Sequence, residues 1–163
     1  MKNTILLVMI LGLTACATTP LPQEQREFKF VEQTALKQKE AYNAALSYLA
    51  KNLGDSNFAI KVKDPETGTI ITQIAVDCPE LKLFMDLNKH VAAYNLEVST
   101  KDSKIRFVYE ATEDRIYNGV SGNLMGPGAA IFRPGQADAA KVCAERNKGD
   151  ILKSFGSNRN SAW

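Results

Sequence analysis

Histidine is nearly absent: His90 stands alone in 163 residues, beside three cysteines, Cys16, Cys78 and Cys143. That supply cannot furnish a zinc-ligand set of known type, and no Cys-x-x-Cys spacing supports thioredoxin-like redox chemistry. The sequence has no G-x-S-x-G, no H-E-x-x-H and no Walker-type glycine loop, which removes the common signatures of serine hydrolases, metalloproteases and P-loop enzymes. The acids Asp64, Glu66, Asp77, Glu80 and Asp86 lack the spacing of an EF-hand loop. Charge of one sign is also scarce. Twenty Lys and Arg face eighteen Asp and Glu, a net +2. Removal of a segment carrying Lys2 would leave about +1, too little for a nucleic-acid binder. No internal repeat is visible. Hydrophobic residues at 45% and charged residues at 23% suit one ordinary globular domain.

The longest apolar run, Thr4 to Leu13, has ten residues. A membrane-spanning helix needs roughly 20, so this run fits a signal-peptide core behind the basic Lys2. Leu13-Thr14-Ala15-Cys16 follows. It resembles the lipobox of bacterial lipoproteins, which implies a diacylglycerol on the Cys16 sulfur and cleavage before Cys16. Ala17 rather than aspartate then favours the outer membrane by resemblance to the enterobacterial sorting rule. The expected organisation is a signal peptide over 1–15, a lipidated cysteine and flexible Pro20/Pro22 linker over 16–25, one domain over 26–156 and a disordered tail over 157–163. The expected location is the outer membrane, lipid-anchored, facing the periplasm.

Hydrophobic spacing predicts an α+β domain. Phe28 and Phe30 alternate in a short strand. Ala35, Gln38, Tyr42, Ala45, Leu46, Leu49 and Leu53 recur at helical spacing, with Thr34 as a start signal and Gly54 as a stop. Phe58, Ile60 and Val62 form one face of a second strand. Asp64-Pro65-Glu66-Thr67-Gly68 turns into a third with Ile70, Thr72, Ile74 and Val76 inward. Val91–Val98 and Lys104–Ala111 form a second hairpin that packs Tyr94, Leu96 and Val98 beside Ile105, Phe107 and Tyr109. The stretch 112–136 reads as irregular and holds five of the ten glycines. A helix over Ala137–Phe155 turns Ala140, Cys143, Ala144, Asn147, Ile151 and Phe155 inward. The expectation is an antiparallel sheet of about five strands with two helices on one face, in the order β-α-β-β-β-β-α.

The segments FKF, ALKQKEAYNAALSYLAKNL, NFAIKVKDPETGTIITQI and YNLEVSTKDSKIRFVYEA, in that order over 28–110, resemble a family of bacterial lipoproteins named only as a domain of unknown function with a TATA-binding-protein-like fold. The resemblance implies that topology. It carries over no activity and no catalytic residue, and a fold shared with a DNA binder is no evidence of DNA binding.

Among the side chains, Cys78 ends a strand and Cys143 faces inward from the last helix. In an oxidising compartment they are a disulfide candidate, the other reading being two separate buried thiols. His90 reads as a surface residue preceding a strand, or as a partner of Cys78 in a nucleophile pair. Within the glycine-rich loop, Leu124, Met125, Ile131 and Phe132 are candidate partner contacts, or a cover over the domain's own core. Lys61, Lys63, Gln73, Asn95, Glu97, Arg106 and Glu110 fall on the open sheet face and lack an aromatic platform for nucleic acid. No cofactor or metal is implied. Two functions remain open: a non-enzymatic, lipid-anchored binding or structural module of the envelope, and a periplasmic hydrolase or other enzyme using Cys78, His90 or the acids.

Overall fold

Two bulges decide which side chains face the core. The computed structural model describes residues 19–53, 59–82, 86–101, 103–131 and 133–157. The elements are α1 (Gln23–Arg26), β1 (Glu27–Gln33), α2 (Gln38–Asn52), β2 (Ile60–Asp64), β3 (Thr69–Asp77), a 3-10 turn (Pro79–Leu81), β4 (Lys89–Lys101), β5 (Lys104–Tyr117), β6 (Ala129–Ala130) and α3 (Pro134–Ser157). The antiparallel sheet runs β1-β5-β4-β3-β2, and β6 pairs with β5 beyond the end of β1. This is the expected α+β sheet with helices on one face, enlarged by β6 and by the short α1.

The inward row is Ile70, Thr72 and Ile74 on β3, Tyr94, Leu96 and Val98 on β4, and Ile105, Phe107 and Tyr109 on β5, all buried. Ala41, Tyr42, Ala45 and Leu49 of α2 and Ala140, Ala144, Ile151 and Phe155 of α3 close over it. Buried polar atoms find partners across the layers: the Tyr94 hydroxyl donates to the Ala140 carbonyl at 2.8 Å and the Tyr109 hydroxyl to Asn147 Oδ1 at 2.9 Å. Edge-on Tyr94 and Tyr109 rings, 5.6 Å apart, fill the centre.

On the opposite face Gln73, Asn95, Glu97, Arg106 and Glu110 form the expected row across the strands, while the β2 bulge sets Lys63 opposite the inward Ile70 and so off that face. Gln73 Nε2 donates to Asn95 Oδ1 and Asn95 Nδ2 to Glu110 Oε2, each at 3.0 Å, and Arg106 pairs with Glu97 at 2.5 Å. These side chains hydrogen-bond one another along that face.

The first bulge lies between Ile60 and Val62. Lys61 is the extra residue, so Val62 turns outward and is exposed, where strict alternation predicts it beside Ile60 in the core. The second lies in β5. Ala93 opposes Glu113 and Tyr94 opposes Ala111, which leaves Thr112 extra. Its hydroxyl donates to the Ala93 carbonyl at 3.1 Å. The inward residues of β5 are odd-numbered before this point and even-numbered after it. The irregular stretch expected from residue 112 is therefore strand as far as Tyr117, and Asp114 is aimed at the helix layer.

Helix α2 starts at Gln38, four residues after the expected Thr34, because Thr34 spends its oxygen on the Leu36 N–H. The Lys37 N–H donates to Glu40 at the helix start instead. Gly54 and Phe58 lie outside the described residues, as do the lipobox and the end of the tail from 158. The segment expected as a linker is folded from Leu21 onward. The Leu21 N–H donates to the Ile131 carbonyl at 3.2 Å, Arg26 Nε donates to the Leu21 carbonyl at 2.8 Å, and Arg26 Nη1 reaches the Ala111 carbonyl. Pro22 suits this start, since proline needs no N–H there.

In the β2–β3 turn, Asp64 Oδ1 accepts from the N–H groups of Glu66 and Thr67. Gly68 follows at φ +71°, and a Cβ on it would fall 2.5 Å from Thr100 Oγ1 and 2.6 Å from the Thr100 carbonyl oxygen. Gly68→Ala should therefore cost about 2 kcal/mol or more, from left-handed strain plus a clash with backbone that cannot move aside. Urea denaturation at constant pH measures it, and an unchanged midpoint would contradict the tight turn.

Candidate functional site

The parity switch at Thr112 builds the one buried ionisable cluster among the described residues. On β4 the inward residues Leu96, Tyr94 and Ala92 continue to His90, which is 5% exposed. On β5, Asp114 opposes Ala92 and comes up diagonally beside the imidazole. His90 Nδ1 lies 2.9 Å from Asp114 Oδ2, and His90 Nε2 lies 2.8 Å from Asp86 Oδ2. Asp86 is fixed in turn by the Asn88 N–H at 2.9 Å.

Both ring nitrogens thus face carboxylates. Burial alone would lower the His90 pKa, but hydrogen bonds to Asp86 and Asp114 outweigh it and hold the pKa above its ordinary 6.5. Burial raises the Asp114 pKa, and the His90 contact offsets only part of that rise. The Asn88 N–H and then His90 hold the Asp86 pKa below its ordinary value. With an imidazolium and two carboxylates, or a neutral ring and one protonated acid, the cluster carries one negative charge. In either form both ring nitrogens are committed, so no lone pair is offered to a nucleophile's proton.

This corrects the expectation of a surface histidine. His90 lines a cleft of about 420 Å³ between the end of the sheet and the start of α3, with Leu81, Ile116 and Ala139 as its apolar walls and Lys82 and Arg133 at its rim. A covalent clasp lies beside it. Cys78 and Cys143 form a disulfide across 65 residues, joining the end of β3 to α3. The Cys78 N–H donates to the His90 carbonyl at 2.9 Å, so the clasp sits directly beside the cluster. Arg146 reinforces it, reaching Glu80 Oε1 at 2.6 Å and the Asp77 carbonyl at 2.9 Å. Cys78, Glu80 and Cys143 lie close enough together to suggest a metal site. The disulfide uses up both sulfurs, which leaves no thiolate to bind a metal.

The loop residues divide. Ile131 is fully buried and hydrogen-bonds Thr112 and Leu21 through its backbone, so it belongs to the core and not to a contact surface. Leu124 and Met125 are exposed on the hairpin that follows β5. Phe132 lies outside the described residues. The Cys78–His90 pairing is excluded as a nucleophile pair, since the sulfur is bonded to Cys143. What the sequence reading missed is Asp114 and the direction of His90. A signal for His90 was present: carrying the inward parity of Tyr94 and Leu96 two steps back past Ala92 reaches it.

Two crystal structures share this architecture. A TBP-like protein from Parabacteroides distasonis ATCC 8503 matches at TM-score 0.55 and 14% identity, over 80% of this chain and 92% of its own. A DUF4468 family protein from Bacteroides ovatus ATCC 8483 matches at TM-score 0.51 and 14% identity, over 86% of this chain and 92% of its own. At such identity the likeness shows the fold alone. No curated protein matches the chain. The family model for the domain of unknown function (DUF4468) with TBP-like fold matches residues 28–113, from the first strand through the β5 bulge. That span is just over half of the sequence, and the chain belongs to this family.

Proposed function

We propose that the protein is a lipid-anchored envelope lipoprotein, tethered through Cys16 to the outer membrane on its periplasmic side, and that it acts as a non-enzymatic binding or structural module. The observation that carries the non-enzymatic reading is the chemistry around His90. Its would-be nucleophile, Cys78, is bonded to Cys143, and its two nitrogens are hydrogen-bonded to Asp86 and Asp114. The alternative, a periplasmic hydrolase or other enzyme using Cys78, His90 or the acids, thereby loses its cysteine nucleophile and its histidine base. A disulfide between the two cysteines that remain after acylation of Cys16 suits an oxidising compartment. The cleft above the cluster is the place for a small apolar group of a bound partner.

Metabolic labelling with a fatty acid tests the anchor. Wild type should carry label and sediment with membranes. Cys16→Ser should carry none and leave the membrane fraction or stay unprocessed, because a hydroxyl cannot form the thioether. Equal label on both chains would overturn the reading. Cross-linking in intact envelopes then addresses the partner.

A further inference from the structure

The hairpin after β5 is a rigid apolar finger. Asn118 Oδ1 accepts from the N–H groups of Val120 and Ser121 at 2.9 and 2.8 Å. The Asn118 N–H donates to the Asn123 carbonyl and the Gly122 N–H to the Asn118 carbonyl, both at 2.8 Å. Met125 is bonded back to Ile116, and Gly119 sits against the Leu87 carbonyl so closely that a Cβ would fall 2.1 Å from it. This ordering holds apolar side chains in water: Val120 is 99% exposed, Leu87 87%, Met125 57% and Leu124 49%. These are four of the seven exposed large hydrophobics among the described residues. From Ile116 to Phe132 the sequence has no charged residue, and Arg115 and Arg133 flank it.

The N-terminal segment leaves the domain toward the same end. β1 is antiparallel to β5, with Glu27 opposite Glu110, so the chain upstream of β1 heads toward the C-terminal end of β5. Leu21 is tied to Ile131, and Ile131 to Thr112. Five residue steps separate Cys16 from Leu21, a reach of at most about 17 Å. Five strand residues separate Thr112 from Tyr117, also about 17 Å, and the finger begins there. The tether therefore cannot lift the domain further from a bilayer than the finger projects.

We propose that the finger, tipped by Val120 and flanked by Leu87, Leu124 and Met125, seats in the interfacial layer of the phospholipid bilayer that holds the acyl chains of Cys16. This rests on the acylation proposed above. The acyl chains supply the affinity, and the finger fixes the orientation. An apolar tip on a segment without charge suits the boundary between acyl chains and headgroups. The strands then run away from the lipid, and the β2–β3 turn at their far end is held toward the periplasm.

The test uses the full, processed chain in vesicles of phosphatidylethanolamine and phosphatidylglycerol doped with nitroxide-labelled lipid. A fluorophore is placed on Ser121→Cys in the finger. A control fluorophore is placed on Glu66→Cys, in the β2–β3 turn at the opposite end of the sheet. Fatty-acid mass on Cys16 is measured on the same samples. The expected result is several-fold stronger quenching at 121 than at 66. Adding Val120→Asp and Leu124→Asp should abolish that difference while the protein still floats with the vesicles and melts as before. Acylated protein with equally weak quenching at both sites overturns the finger's role and leaves the anchor intact. Cross-linking of position 121 to a second copy or another protein, without lipid quenching, also overturns it and assigns the finger to a protein partner. Absence of acyl mass on Cys16 overturns the anchor and this proposal together.

Discussion

Replacing Cys78 and Cys143 together by alanine is expected to lower the unfolding free energy by about 4 kcal/mol. The disulfide closes 65 residues. In the chain-entropy account, a loop of that length restricts the unfolded chain by about that amount. Both positions are fully buried, so loss of the sulfurs also removes packing between β3 and α3. Arg146 keeps its bonds to Glu80 and Asp77, which should hold α3 in register and let the variant fold. For a domain of this size the melting temperature should fall by roughly 10 °C or more. Urea titrations of both proteins, with and without reductant, measure the effect. Wild type in reductant should fall toward the double variant, while the variant should not respond. Equal midpoints for all four samples would mean that the clasp adds nothing. The same arithmetic makes the fold depend on its compartment: a chain held in reducing surroundings would lack one of its largest single stabilising constraints.

The parts of this fold that were legible are those in which one period persists. Tyr94, Leu96 and Val98 alternate against Ile105, Phe107 and Tyr109, and the structure pairs them across β4 and β5 as the spacing requires. The stripe Ala140, Cys143, Ala144, Ile151 and Phe155 holds along α3 for the same reason. Illegible parts begin where one residue is inserted. Lys61 and Thr112 are ordinary strand residues, and nothing in their chemistry announces a bulge, yet each reverses the face of everything after it. Val62 went to solvent and Asp114 to the core by that device. The charged run Glu113-Asp114-Arg115 reads as solvated within the stretch taken as irregular, and simple continuation of the odd-inward parity would instead turn Glu113 and Arg115 in and Asp114 out. After the bulge, Glu113 and Arg115 pair with each other at 3.2 Å on the outer side and Asp114 alone turns in. The candidate site was hidden because Asp114 lies beyond such a switch, on a strand whose earlier parity would point it outward.

His90→Ala should be the most costly single substitution in the cleft, and its cost should depend on pH. The change removes the only cation of the cluster and strands Asp114, whose side chain is 5% exposed. Breaking a buried pair from one side costs about 3–5 kcal/mol, and Asp114 recovers part of this by taking up a proton, so about 3 kcal/mol is expected at pH 6. In wild type the folded-state pKa of His90 is raised. Its contribution is therefore complete below the ordinary 6.5 and is lost as pH climbs through the raised value. Asp114, also raised, works in the same direction: its contribution is complete below 3.8 and declines as pH climbs through its own folded value. Asp86 is lowered, so its contribution is present above 3.8 and is lost as pH falls through the lowered value. Wild-type stability should thus fall at the acid end as Asp86 is protonated and decline again on the alkaline side as pH climbs through the raised Asp114 and His90 values. In the variant, Asp114 is already protonated near pH 4, which shrinks the penalty there. As pH climbs through the raised His90 value the wild-type cluster sheds its proton, which shrinks the penalty again. Urea midpoints of both proteins at pH 4, 6 and 8 should therefore differ most at pH 6. A second variant, Asp114→Asn, removes the buried charge as well as the contact. It should cost less at pH 6 and flatten the alkaline decline, because His90 then keeps only Asp86 to hold its proton. A constant penalty for His90→Ala across the three pH values would mean that the imidazole stabilises the fold by packing and not as the proton-holding centre of the cluster.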